Sequence, residues 1–158
     1  MGLLHWHILQ RQQEIGHISM PSQVNIMLVK RQDIIDILPF VEHYLKDAMQ
    51  YNNDWTYTDL ITSFLTEHCK LWAISYDNKL LAAAVTQIYL YPLKKEVRVH
   101  LLAGKETEKW AKEWSNTIET YAISEGAKSI DLMGRKGWER YLKPYGYKPI
   151  THMRKEVA

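Results

Sequence analysis

Two apolar runs, "KLWAISY" (70–76) and "KLLAAAVTQIYLY" (79–91), are separated only by Asp77-Asn78. This arrangement constrains the fold more than any other stretch. Asp and Asn tolerate the positive φ that a two-residue hairpin loop requires, so the spacing predicts an antiparallel hairpin. Pro92 ends the second run. "EVRVHLLA" (96–103) then predicts a third strand with strict alternation at its start. Period-two geometry puts Arg98 and His100 on one face and Val97, Val99 and Leu101 on the other. Such a sheet must bury its apolar faces under other elements.

Those elements lie on either side in the chain. "VNIMLV" (24–29) reads as a strand. Asp33 is placed as an N-cap, and Ile34, Leu38, Val41 and Leu45 follow at helical spacing to about Tyr51. Pro39 lies inside that pattern and predicts a kink or a late start. Thr56 and Asp59 match a capping box for a second helix to about Glu67. After a short turn at Gly104-Lys105, a long helix is predicted over 106–125, with Trp110, Trp114, Ile118 and Tyr121 as its apolar stripe and Gly126 as its stop. "KSIDLM" is a strand, "GWERYLKPY" a short helix stopped by Pro144 and Gly146, and "YKPITHMRKEV" a last strand. The order β-α-α-β-β-β-α-β-α-β gives the fold class: α/β, a mixed, mostly antiparallel sheet flanked by helices. The late strand-helix-strand unit implies one right-handed crossover.

Length and composition set the bounds. With 158 residues the chain forms one domain, assigned to 23–158. Residues 1–22 are rich in His and Gln without periodicity; they read as an N-terminal arm, or as an extension upstream of a start at Met20. A net charge of +2 does not demand a polyanionic partner. There is no helix-turn-helix, RRM or finger pattern for nucleic acid, and no run of membrane-spanning length. The first ten residues lack the basic start and cleavage site of a signal peptide, and Trp6 stands where a myristoylation signal needs Ser or Thr. A lone Cys69, read as a packing residue, excludes an internal disulfide and fits a reducing cytoplasm. His5 and His7 are paired as in a metal site, but the nearest acid is Glu14, so no metal is expected.

"GRKGWERYLKPYGYK" (134–148) interleaves basic and aromatic residues. On a helix, Trp138, Tyr141 and Leu142 share the face that packs on the sheet, while Arg140 and Lys143 face solvent.

The strand and first helix in "MLVKRQDIIDILPFVEHYL", the "LLAG" before the long helix, and the closing strand, short helix and Gly146-Tyr147 together resemble the GCN5-related N-acetyltransferase (GNAT) superfamily, over about residues 24–155. The resemblance is strongest to divergent GNAT-like proteins of phages and prophages. It implies acetyl-CoA as donor and an amine as acceptor. It places the pyrophosphate at Leu102, Ala103, Gly104 and Lys105, and the 3′-phosphate end of CoA, or an acidic partner, at Arg135 and Lys136. His100 and Glu96, on the third strand, are then the candidate bases, with imidazole neutral near pH 7. The family pattern has a second small residue in the turn; here Gly104 stands alone, followed by Glu106 and Glu108. The family's acidic tyrosine falls on Leu142; Tyr141, about 100 degrees away round the helix, is the remaining tyrosine candidate for a catalytic role. These departures support a second expectation, a catalytically inactive GNAT-fold phage protein with a structural role in virion assembly.

Overall fold

A computed structural model describes residues 23–52 and 54–158. The expectations placed on residues 1–22, including the arm and the His5–His7 pair, lie outside the described residues.

The described elements are β1 (Val24–Leu28), α1 (Ile34–Met49), α2 (Tyr57–Leu65), β2 (Lys70–Tyr76), β3 (Lys79–Leu90), β4 (Lys95–Gly104), α3 (Ala111–Ser124), β5 (Ser129–Leu132) and α4 (Trp138–Leu142). The sheet order is β1-β2-β3-β4-β5. The first three pairings are antiparallel, and β4 with β5 is parallel. This is the mixed, mostly antiparallel sheet expected. The hairpin between β2 and β3 turns on Asp77 (φ 49°) and Asn78 (φ 64°), the left-handed pair its loop length requires.

The elements form where local chemistry directs them. Thr56 and Asp59 close a reciprocal capping box at the start of α2. Asp33 stands at the N-cap position of α1, but its side chain makes no capping bond. α1 begins before Pro39 and continues through it, so the expected late start does not occur. Pro39 removes the bond to the carbonyl of Ile35, a residue on the exposed side where water can satisfy it. α3 is shorter than predicted. Glu106 adopts φ 53°, a 3-10 turn occupies Thr107–Lys109, and Trp110 has φ −130°. The Trp110 indole donates to the Lys105 carbonyl, which fixes this break in place.

The sheet divides the core in two. Ile34, Ile37, Val41 and Leu45 of α1, with Leu60 and Phe64 of α2, pack against Leu71, Ala83, Val85 and Leu101. Trp110, Trp114 and Ile118 on the α3 side, with Trp138 and Leu142 of α4, pack on Trp72, Ala84, Val97, Val99 and Leu102. Trp72 meets Trp114 and Tyr121 edge to face and donates its indole N–H to Thr86 Oγ1 at 2.9 Å.

Two expectations are corrected. Val99 pairs with Thr86 and Leu101 with Val85, so His100 is an extra residue in β4, a β-bulge. The bulge shifts the alternation. Val97 and Val99 face the α3 side and Leu101 faces α1, so the three do not share a face. The predicted last strand "YKPITHMRKEV" is not formed, and no strand follows β5. Pro149 has no N–H to give to a ladder, and Lys148, His152, Arg154 and Lys155 are all exposed to solvent.

Candidate functional site

The bulge and the parallel pair together create a place where the sheet parts. β4 and β5 stay in register from Glu96↔Ser129 to Val99↔Leu132, with one further bond from Met133 N–H to the Val99 carbonyl. Beyond that point β4 runs on beside β3 to Gly104 while the other chain turns away into residues 133–137. The wedge between them is lined by His100, Leu102 and Ala103 on one side and by Gly134, Arg135 and Trp138 on the other. It holds about 20 Å³, space for little more than one water.

His100 sits at the apex and is 6% exposed. Its Nε2 lies 2.9 Å from Gln87 Oε1 and 3.3 Å from the Tyr89 hydroxyl. The Asn52 side-chain amide donates to its carbonyl at 3.3 Å. The Trp55 and Tyr89 rings flank the imidazole at 5.3 and 5.8 Å. Burial, reinforced by the Arg98 guanidinium, pushes the His100 pKa down to about 4, with the Asp54 carboxylate opposing. The imidazole is therefore neutral at pH 7 and carries a free lone pair.

Glu96 lies at the other end of β4, buried and paired with Arg98 (2.8 Å) and Lys94 (3.9 Å). Arg98 also stacks over the Tyr89 ring at 4.1 Å. Glu96 thus belongs to an ion pair on the same face as His100, away from the wedge. Tyr141 packs with Trp138 in the α3-side core, and its hydroxyl is 2.6 Å from Arg140. It does not line the wedge, and neither does its buried neighbour Leu142.

Of the residues expected at a cofactor, Leu102, Ala103 and Arg135 come together at the wedge. Arg135 lies against the rings of Tyr51 (5.4 Å) and Trp138 (5.9 Å). Lys136 is exposed beside α4 and lines a broader groove. Gly104 ends β4 pressed on β3; a Cβ there would overlap that of Ala82 and come within 2.5 Å of the Leu81 carbonyl oxygen. The Lys105 N–H is bonded to the same carbonyl at 2.9 Å. The Glu106 carboxylate is drawn to Lys109 at 2.8 Å, which lowers its pKa. The N–H groups at the start of the following turn have no preceding helical carbonyl to bond.

These groups bear on whether an acyl-CoA fits. The main chain of Leu102 and Ala103 and the Arg135 guanidinium match an amide-bearing arm ending in phosphates. The space matches only once residues 133–137 move off β4, because 20 Å³ cannot hold the arm. Next to the wedge, a cavity of about 510 Å³ is shared between Tyr51, Asn52 and Asp54, Arg98, and the chain after β5. Sequence reasoning missed Gln87, Tyr89, Asn52 and Tyr51. A signal existed for two of them: pairing β3 with β4 sets Gln87 opposite Arg98 and Tyr89 opposite Glu96.

Among the described residues, no group of three His, Cys, Asp or Glu could hold a metal, and no helix is long and apolar enough to cross a membrane. No known family profile matches the sequence, and no curated protein matches it. Solved structures do. An aminoglycoside acetyltransferase from an uncultured soil metagenomic sample, in complex with trehalose, is 12% identical with a TM-score of 0.61; the match covers 86% of this chain and 97% of that one. A ribosomal-protein-alanine N-acetyltransferase from Brucella melitensis biovar Abortus is 14% identical with a TM-score of 0.61, over 85% and 97% of the two chains. A structure described as a predicted acetyltransferase with acetyl-CoA, from Clostridium acetobutylicum, is 13% identical with a TM-score of 0.60, over 85% and 96%. At such identities the likeness establishes the fold.

Proposed function

We propose that this chain, which has the GNAT fold, is an N-acetyltransferase that moves an acetyl group from acetyl-CoA to an amine. One observation carries this reading: β4 and β5 part at the His100 bulge, leaving β4 main chain and Arg135 facing a wedge. Acetyl-CoA supplies the activated acyl group as a thioester. Leu102 and Ala103 hold the arm through their main chain. Arg135 meets a phosphate, with Lys105 and Lys136 adding positive charge at the edges. The acceptor occupies the adjoining 510 Å³ cavity, and its ammonium gives up a proton before attack. His100 is the proposed base because it is neutral, buried and lines the wedge, beside Asn52, which lines both spaces; Glu96, bound to Arg98, is the weaker candidate. Neither Tyr141 nor Leu142 lines the wedge, so the proton for the leaving thiolate comes from Tyr51, which does line it, or from solvent.

The test is calorimetric titration of the full chain with acetyl-CoA, paired with a thermal melt. At 100 times its dissociation constant a ligand adds about 2.7 kcal/mol to stability. Saturable binding that CoA competes with and ATP does not supports the reading. No heat and no melting shift at millimolar acetyl-CoA overturns it.

A second reading keeps the fold without the chemistry: a catalytically inactive phage protein acting in virion assembly. The wedge too narrow for the arm, Gly104 held against β3 and Leu142 at the family's tyrosine position favour it. Its phage character rests on the sequence resemblance. Under this reading the chain stays inert toward acetyl-CoA and binds a protein from an assembling particle.

A further inference from the structure

Gln87 lies on β3, one strand over from His100, and its Oε1 has two polar neighbours, a thiol that donates and a ring nitrogen. His100 Nε2 is 2.9 Å from it and Cys69 Sγ 3.6 Å. Burial pushes the Cys69 thiol pKa up, so the sulfur keeps its proton and donates. A protonated thiol facing the carboxamide favours its oxygen at that corner over its NH₂. The second neighbour of Nε2, the Tyr89 hydroxyl at 3.3 Å, also has an oxygen that can accept. With Oε1 in that corner, Nε2 must bear the ring proton.

We propose that Gln87 is a positioning residue that locks His100 in its Nε2–H tautomer, leaving the lone pair on Nδ1 as the proton acceptor of the transfer. The inference rests on the acetyltransferase reading for its consequence but not for its test. The groups facing the imidazole come from every element around it. They are Arg98 on the same strand, Tyr89 and Gln87 on β3, Asp54 and Trp55 in the loop before α2, and Asp47, Tyr51 and Asn52 at or just past the end of α1, which line the same wedge; Cys69, just before β2, meets Gln87. Among the described residues, Gln87 alone offers the ring nitrogen a strong acceptor within 3 Å. The alternative orientation, with the carboxamide NH₂ turned to the ring, would put the proton on Nδ1 and bury the lone pair against Gln87. The two arrangements have opposite consequences for where an acceptor amine must approach.

The experiment is nitrogen-15 NMR of the histidine side chains in the full chain at pH 7, assigned with His100→Gln. The proposal expects Nε2 to resonate as a protonated ring nitrogen and Nδ1 as an unprotonated one. Gln87→Glu, which keeps the acceptor and adds charge, should retain that tautomer and raise the His100 pKa by a unit or more. Gln87→Leu should let the tautomers mix while the melting curve stays cooperative. If acetyl transfer is found, Gln87→Leu should lower kcat by about tenfold, a part of the 10²–10⁴-fold that general-base catalysis supplies, with KM for acetyl-CoA unchanged. An Nδ1–H tautomer in the parent chain, or an unchanged tautomer in a folded Gln87→Leu, overturns the proposal. Because the spectra need no cofactor, a confirmed tautomer beside absent acetyl-CoA binding would reject the enzyme reading and leave this inference standing.

Discussion

Glu96 and Arg98 stand two positions apart on β4, and the Arg98 guanidinium reaches the Glu96 carboxylate at 2.8 Å and 3.2 Å, where Glu96 is only 3% exposed. Same-strand neighbours at this spacing share a face, so the pair is built by the strand itself. Removing the cation strands a buried carboxylate. Breaking a fully buried pair costs about 3–5 kcal/mol. Here Lys94 remains within 3.9 Å, so Arg98→Ala should cost about 2–3 kcal/mol. Urea unfolding at pH 7 measures it as a lower midpoint at an unchanged slope. A cost under about 0.5 kcal/mol would mean the pair is solvated like a surface salt bridge.

His100 makes stability depend on pH in a definite direction. Its ordinary value is 6.5 and the folded value is about 4. Between these, the unfolded chain binds a proton that the folded chain excludes, so stability rises with pH across the window. The contribution is complete above pH 6.5 and is lost as pH falls through 4. His100→Gln should flatten that part of the stability profile relative to the parent chain. Parallel profiles for the two proteins between pH 4 and 6.5 would show that the imidazole is not desolvated as described.

Local chemistry made much of the architecture legible. Asp77-Asn78, the Thr56–Asp59 capping box, the Trp110–Ile118 stripe and Gly146 each act over a few residues, so the chain states them directly. The features that were not legible depend on partners distant in sequence. The His100 bulge exists only in the register of β3 on β4, and nothing in "EVRVHLLA" announces an extra residue. The alternation in "YKPITHMRKEV" is that of a strand, yet a strand also needs a neighbour. Gly104 was read for a phosphate turn, whereas its backbone is held by Ala82 and Leu81 across the sheet. The candidate site followed the same rule. His100, Leu102 and Arg135 stand out one by one as residue types, whereas their shared wedge and the Gln87 and Tyr89 contacts come only with the pairing.

Gly104 therefore gives a prediction about packing. A methyl group at this position would overlap Ala82 and the Leu81 carbonyl, both of which are backed by the β3 ladder and cannot yield by a rotamer change. Overpacking of this kind costs about 1–3 kcal/mol. Gly104→Ala should lower the melting temperature whether or not acetyl-CoA binds, and Gly104→Asp should lower it further. An unchanged melt for Gly104→Ala would mean that the end of β4 moves freely from β3, and would reopen this turn as a phosphate loop.

Arg135 separates binding from folding. It is exposed, lies over Tyr51 and Trp138, and makes no ion pair among the described salt bridges. Exposed cation–π contacts contribute about 0.5–1 kcal/mol, so Arg135→Ala should move the melting temperature little. If the guanidinium meets a phosphate of acetyl-CoA, its loss removes a charge-assisted hydrogen bond and weakens binding by about tenfold, or 1.4 kcal/mol. Lys136→Ala, one position along and outside the wedge, should weaken it less and in a more salt-dependent way. Calorimetric titration of the three proteins at two salt concentrations reads both effects. Equal losses for Arg135→Ala and Lys136→Ala that vanish at high salt would reduce this end of the site to a diffuse positive surface. Tighter binding by Arg135→Ala would instead identify the arginine, stacked between its two rings, as the latch that keeps the wedge shut.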